Sequence, residues 1–248
     1  INSVIALYSN GQIQEALGSV KALIKDYPNE ALLYNISGVC YKAIGKLDET
    51  VKSFEKALTI KSDYAEVHYN LGVTLQELSQ LDAAVKSYEN ALAIKPDYAN
   101  ACNNLGNVLK DLGQLDASIK SFEKAISIKP DYAEAHNNLG VTFQKLGQQD
   151  TAAKYYEKAL AIKPDYAEAY RNHGNVLLGL KRLDEALASY ERALVLKPDL
   201  DFLLGNSLHI KMELCLWDDL PNRLNELMKK INNSEKVIVP FSLLALID

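Results

Sequence analysis

Cysteine is scarce in this sequence. Cys40, Cys102 and Cys215 are odd in number and far apart, which excludes a disulfide framework and points to a reducing, cytoplasmic compartment. No apolar run approaches the roughly 18 residues that a membrane-spanning helix needs, so no membrane partner is expected. The start, Ile1-Asn2-Ser3-Val4, has neither a basic leader nor a long apolar stretch. It also lacks an initiator methionine, so the chain reads as a segment of a longer protein. Formal net charge is −5, and no lysine- or arginine-rich run stands out, so nucleic acid is not expected as a partner. Phosphate-binding glycine loops, zinc-ligand spacings and a Ser-His-Asp order are all missing. His173 and His209 have no cysteine or acidic ligand at metal spacing. No catalytic residue, metal or cofactor is therefore assigned, and the chain by itself is read as a non-enzyme.

What the sequence has is repetition. Ala93-Ile94-Lys95-Pro96-Asp97-Tyr98-Ala99 returns from Ser127 to Ala133 and again from Ala161 to Ala167, a step of 34 residues. On that ruler Gly38, Gly72, Gly106, Gly140 and Gly174 share one column. Phe54, Tyr88, Phe122, Tyr156 and Tyr190 share a second, and Ala57, Ala91, Ala125, Ala159 and Ala193 a third. Pro96, Pro130, Pro164 and Pro198 share a fourth, where Ser62 is the exception. Full repeats start at Ala31, Ala65, Ala99, Ala133 and Ala167. Residues 1–30 carry the remainder of an earlier one, since Gly11 aligns with Gly45 and Pro28 with Ser62.

Each column has a physical reason. Apolar residues three and four apart, such as Cys102, Leu105 and Leu109, predict a helix A over roughly the first fourteen positions of each repeat. Glycine in the eighth position lets two helices approach closely, despite a helix cost of about 1 kcal/mol. Gly45, Ser79, Gly113 and Gly147 mark the turn. Asp48, Asp82, Asp116, Asp150 and Asp184 suit the start of a helix B, whose alanine and aromatic columns interlock with helix A. Proline then closes the repeat, where it can start the next helix but not continue the last. His68 and His136 fall in a packing column and read as core rings.

Period, glycine, aromatic, alanine and proline columns together resemble the tetratricopeptide repeat, over residues 1–210. The resemblance implies an all-α fold, a right-handed superhelical solenoid of helix-turn-helix repeats with helix A facing a concave groove. Residues 1–200 are expected to form the array. Residues 201–248 leave the pattern: Asn206 stays in register, but Leu208 replaces the glycine. A second helix is expected from about Asn222 to Ile231, followed by an apolar tail, Val237 to Ile247. This segment reads as capping helices and a junction to a further domain.

At 100° per residue, positions 4, 7, 8 and 11 of helix A form the packed face, and positions 2, 6, 9 and 13 point the other way. The latter read Glu66, Asn70, Val73, Glu77; Asn100, Asn104, Asn107, Asp111; Glu134, Asn138, Val141, Lys145; and Glu168, Asn172, Asn175, Gly179. Asn70, Asn104, Asn138, Asn172 and Asn206 form a ladder at strict spacing. Asparagine is a mediocre helix former, so propensity does not explain it. Its carboxamide carries both donor and acceptor and so complements a peptide group. The groove is therefore expected to hold an extended protein or peptide ligand by its main chain. The competing reading is a ladder that only braces neighbouring repeats. In the first full repeat the same face is apolar (Leu32, Ile36, Val39), a contact patch expected to be covered by preceding residues, a ligand or a second copy of the chain.

The asparagine ladder is similar to the one lining the groove of O-linked N-acetylglucosamine transferases. The stretch His209-Ile210-Lys211-Met212, Leu214 to Leu220 and Pro240 to Ala245 resembles the segment that joins repeats to catalytic domain in bacterial SPINDLY-type relatives. In that family the repeats select protein substrates and a following domain uses a UDP-sugar. The resemblance implies a substrate-recruiting region; the alternative is a free-standing adaptor. A co-chaperone clamp for an acidic tail is disfavoured. Arg171, Asn175 and Asn206 supply only a fragment of one, against Glu66, Glu77, Asp111, Glu134 and Glu168.

Overall fold

A computed structural model describes residues 2–200, 202–216, 218 and 220–233. Among them every regular element is a helix and none is a strand. The chain divides into two compact units, Ile1–Pro130 and Asp131–Asp248. The first holds α1 (Asn2–Ser9), α2 (Ile13–Asp26), α3 (Ala31–Ala43), α4 (Leu47–Ile60), α5 (Ala65–Glu77), α6 (Leu81–Ile94), α7 (Ala99–Asp111) and α8 (Leu115–Ile128). The second holds α9 (Ala133–Lys145), α10 (Gln149–Ile162), α11 (Ala167–Gly179), α12 (Leu183–Leu196), α13 (Leu203–Glu213) and α14 (Leu220–Asn232). Within each unit consecutive helices pair as hairpins, and each B helix also packs on the A helix that follows it, as α4 does on α5 and α10 on α11.

The hairpin closes where glycine meets the aromatic column. A methyl group added to Gly38 would lie 2.5 Å from Phe54, and one added to Gly140 would lie 2.6 Å from Tyr156. Gly72, Gly106 and Gly174 face Tyr88, Phe122 and Tyr190 in the same way. All five rings are fully buried, as are the alanines one turn further along helix B. No side chain fits between the two backbones, and the ring fills the space that glycine leaves.

The turn inside each hairpin is a left-handed cap. Gly113 has φ +76°; its N–H donates to the Lys110 carbonyl and that of Gln114 to the Leu109 carbonyl, which satisfies carbonyls that the helix leaves open. Ser79 and Lys181 adopt the same conformation at φ 59°. The proline expectation needs one correction. Helix α6 ends at Ile94 and α7 begins at Ala99, so Pro96 lies in the connecting turn and starts no helix. Its missing N–H suits a place just past the cap residue Lys95, whose own N–H bonds the Ala91 carbonyl.

The last hairpin is built differently. Leu208 stands in the glycine column, Leu224 in the aromatic column and Leu227 in the alanine column. Leu208 and Leu227 are both buried in one small cluster with Leu204. The bulk that a ring supplies elsewhere is shared here between the two helices. Helix α13 begins at Leu203 rather than at the aligned position 201. Trp217, Asp219 and the apolar stretch Val237 to Ile247 lie outside the described residues.

A histidine also enters the packed face of α11. His173 stands where Leu71, Leu105 and Leu139 stand in other repeats. Its Nδ1 is 3.2 Å from Ser189 Oγ, and its buried Nε2 has no hydrogen-bond partner, with Glu157 Oε1 at 3.8 Å. Burial pushes its pKa below the usual 6.5, with Glu157 opposing and Arg182 assisting. The unfolded chain therefore takes up this proton first as pH falls. The associated stability is complete above about pH 6.5 and is lost as pH drops through the lower folded value.

Two melts check these assignments. Gly140→Ala gains about 1 kcal/mol of helix propensity but drives a methyl into Tyr156. We expect a net loss of about 1–3 kcal/mol, and an unchanged melting temperature would contradict the close-contact role. His173→Leu should raise the melting temperature more at pH 5.5 than at pH 7.5; equal increments at both would show that this ring does not titrate with folding.

Candidate functional site

The A helices present the face on which the sequence places the asparagines. Position 3 of each A helix (Leu33, Val67, Ala101, Ala135, Ala169) and position 10 (Cys40, Thr74, Val108, Thr142, Val176) are fully buried. These two columns went unassigned in the sequence. They arise because an A helix packs on two B helices, its own and the preceding one, so more of its circumference is covered than one stripe supplies. What remains open is narrow. Glu66, Asn100, Glu77, Asp111 and Lys145 are exposed, and Glu134 and Glu168 are partly so. Asn70, Asn104, Asn138, Asn172 and Asn206 are all half-buried, as is Asn107, while Asn175 is exposed.

The carboxamides of the ladder are tied to the hairpin before them. In the first unit Asn104 Nδ2 donates to Tyr69 Oη at 3.2 Å. In the second, Asn172 Nδ2 donates to Asn137 Oδ1 at 3.1 Å. Both bonds run from position 6 to position 5 of the previous repeat. The fifth position (Asn35, Tyr69, Asn103, Asn137, Arg171) was not singled out in the sequence, although three asparagines at one helical position were visible there. A primary amide has two N–H donors and an oxygen with two lone pairs, so one brace leaves donor and acceptor capacity over. Asn70 differs, because its side chain makes no hydrogen bond among the described residues, and the Oδ1 of Asn35 is buried without a partner among them.

A second pattern links the aromatic column to helix A. Tyr88 Oη donates to Gln76 Oε1 at 3.1 Å and Tyr156 Oη to Gln144 Oε1 at 2.9 Å. Where the ring is Phe54 or Phe122, the residue in the glutamine column is Lys42 or Lys110. Tyr190 has Leu178 in that column and donates instead to Asn175 Oδ1 at 2.8 Å. Every buried tyrosine hydroxyl of the column thus has an amide acceptor, and the phenylalanines need none. Burial pushes the Tyr190 hydroxyl up to about 12, with the Asn206 side chain pulling it part-way back; Tyr88 is raised in the same way, with Asn104 opposing.

The remaining assigned residues divide. Ile36 packs into the cluster of Val4, Leu17 and Leu33, beside Leu7 and Tyr8 of α1. Val39 packs against the next cluster, which contains Phe54 and Leu71. Leu32 is half-buried. The apolar patch is thus partly taken up by neighbouring helices. Arg171 is half-buried, and its Nε is buried without a partner. His68 Nε2 is 2.9 Å from the Ser62 carbonyl; a carbonyl only accepts, so that nitrogen carries the proton and the ring fastens helix α5 to its preceding turn. Asn35 of the Asn-Ile-Ser glycosylation pattern is buried, which removes it as an acceptor in the folded chain. Among the described residues no group of three His, Cys, Asp or Glu converges as a metal site, and no helix is long and apolar enough to cross a membrane.

Comparison with known proteins follows the same repeats. The family described as TPR repeat matches residues 38–79, 75–113 and 106–147, and the families described as tetratricopeptide repeat match 133–166 and 167–200. No curated protein matches. Among solved structures, MamA is 26% identical with a TM-score of 0.62, covering 65% of this chain and 94% of its own. YrrB, described as a TPR protein with an unusual peptide-binding site, is 22% identical with a TM-score of 0.63, covering 78% and 97%. PilF of Pseudomonas aeruginosa is 19% identical with a TM-score of 0.71, covering 81% and 91%. The patterns cover residues 38–200 without a gap, and the hairpins they describe are those of the structure: the chain belongs to the tetratricopeptide-repeat family.

Proposed function

We propose that this chain is a protein-interaction module that holds an extended polypeptide along its A helices by hydrogen bonds to the ligand's main chain. The observation that carries the reading is the braced carboxamide. Asn104 and Asn172 each give one N–H to the preceding hairpin, which orients the amide; Asn104 Oδ1 also accepts from Asn103 Nδ2 at 3.4 Å, and a carboxamide so held still has a second N–H and a second lone pair to offer. Bracing and binding are then two uses of one side chain. Neighbouring A helices lie roughly 8–10 Å apart in such packing, and an extended strand advances about 3.3–3.6 Å per residue, so each asparagine meets about every third peptide group. The peptide-binding site ascribed to YrrB, which shares the fold, supports the same use of the scaffold.

The narrower reading makes these repeats the substrate-recruiting region of a UDP-sugar-dependent protein O-glycosyltransferase. It rests on the asparagine column and on the sequence around α13, from His209 to Leu216. Of the rest of that motif, Trp217, Asp219 and Pro240 to Ala245 lie outside the described residues. A free-standing adaptor is the alternative, and the coding sequence beyond Asp248 decides between them. On either reading helices α13 and α14 act as the capping hairpin of the array.

The test separates clamp from brace. Asn70→Ala removes a carboxamide with no internal bond, so it should weaken binding of an unfolded polypeptide a few-fold and leave the melting temperature nearly unchanged. That follows from about 0.5–1.5 kcal/mol for each amide–peptide bond. Replacing Asn104, Asn138 and Asn172 together should cost one to three decades in affinity. It should also lower stability, because Tyr69 and Asn137 lose their partners. Losses should be alike for ligands of unrelated sequence. If Asn70→Ala binds as wild type and the triple variant only melts lower, the ladder braces the array and the clamp is wrong.

A further inference from the structure

The acids on the A-helix face are not equivalent, and the difference separates the two units. In the second unit Glu134 and Glu168 each meet a lysine from the turn 29 residues further along. Lys163 Nζ is 3.7 Å from Glu134, and Lys197 Nζ is 3.5 Å from Glu168. In the first unit the equivalent of Glu134 is Glu66 and the equivalent lysine is Lys95. Lys95 lies over the Tyr98 ring, 4.9 Å from its centroid, just as Lys163 lies over Tyr166, but Glu66 makes no ion pair among the described residues. Asp111 is also exposed and makes no ion pair among the described residues. Glu77, by contrast, is held by Lys42 at 3.0 Å.

Asp111 is placed against its own helix. It is the last residue of α7, where the open carbonyls make a carboxylate unfavourable. Helix stability therefore does not account for it, whereas a cation brought by a ligand would. Glu66 and Asp111 flank Asn70, Asn100, Asn104 and Asn107 on the open face of α5 and α7. Helix α5 lies beside α7, so an extended chain held by these amides passes both acids.

We infer that the open face of α5 and α7 selects a polypeptide segment carrying lysine or arginine, whose cations are met by Glu66 and Asp111 while the asparagines hold its main chain. This rests on the main-chain reading above and adds a side-chain preference to it. The complement is charge, at exposed carboxylates, so the preference is moderate and weakens with salt.

The experiment compares three disordered peptides of matched length, one rich in lysine, one in glutamate and one uncharged. Each is titrated into the whole chain and into Glu66→Gln, Asp111→Asn and the double variant. Each exposed pair is worth a factor of roughly 1.5 to 5, so wild type should prefer the basic peptide over the uncharged one by about 2- to 25-fold at low salt. The double variant should bring that ratio to within about twofold and leave the uncharged peptide's affinity as it was. Asp111→Asn alone should bind the basic peptide less well yet melt slightly higher, a combination that a purely structural aspartate would not give. Equal binding of all three peptides by wild type, or an undiminished preference in the double variant, overturns this inference and leaves the clamp standing. No binding of any peptide by wild type overturns the main-chain reading itself, and this inference with it.

Discussion

Everything in this molecule depends on one close contact, a backbone without a side chain pressed against the face of a buried ring. Gly38, Gly72, Gly106, Gly140 and Gly174 leave no room for even a methyl group beneath Phe54, Tyr88, Phe122, Tyr156 and Tyr190. The contact sets the distance between the helices of a hairpin. It uses the whole B-facing side of helix A and so dictates which residues are left to face outward. Where it is lost, at Leu208, the aromatic and alanine columns change with it to Leu224 and Leu227. That joint change shows the three columns to be one packing unit.

The aromatic column also sets polar requirements on helix A. A tyrosine hydroxyl carried into the core needs an acceptor, and Gln76, Gln144 or Asn175 provides it. A phenylalanine needs none, and lysine occupies the same column instead. A similar economy holds at Asn104 and Asn172, each of which braces the hairpin before it with one N–H. On the proposed reading, side chains already oriented in this way lose less ordering entropy on binding.

Much of this was legible from residues alone. The 34-residue period, the glycine column, the turn glycines and the aspartates of the B helices predict hairpins whose ends match the structure to within a residue or two. The asparagine column was legible because helix propensity does not explain a mediocre helix former recurring at one position. Two things escaped. The buried columns at positions 3 and 10, with alanines such as Ala101 and Ala135, are too small and too ordinary to announce burial. They are set by the preceding B helix, which a single-helix periodicity does not contain. The partners of the asparagines, Tyr69 and Asn137, escaped for the same reason: they lie one repeat away, and only side-by-side packing of A helices brings positions 5 and 6 together. The proline also misleads when read within one helix, because its place is fixed by the turn between two.

The central claim is that side-chain amides of the A helices meet the main chain of a ligand. Side-chain amide resonances report on this directly. Isotope-labelled protein is titrated with an unlabelled disordered polypeptide, and the NH₂ signals of the asparagines are followed. The account predicts shifts for Asn70, Asn104, Asn138, Asn172 and Asn206, with little change at the outward residues of α10 such as Lys154 and Lys158. Shifts confined to the B helices, with the asparagine amides unmoved at saturation, would contradict it.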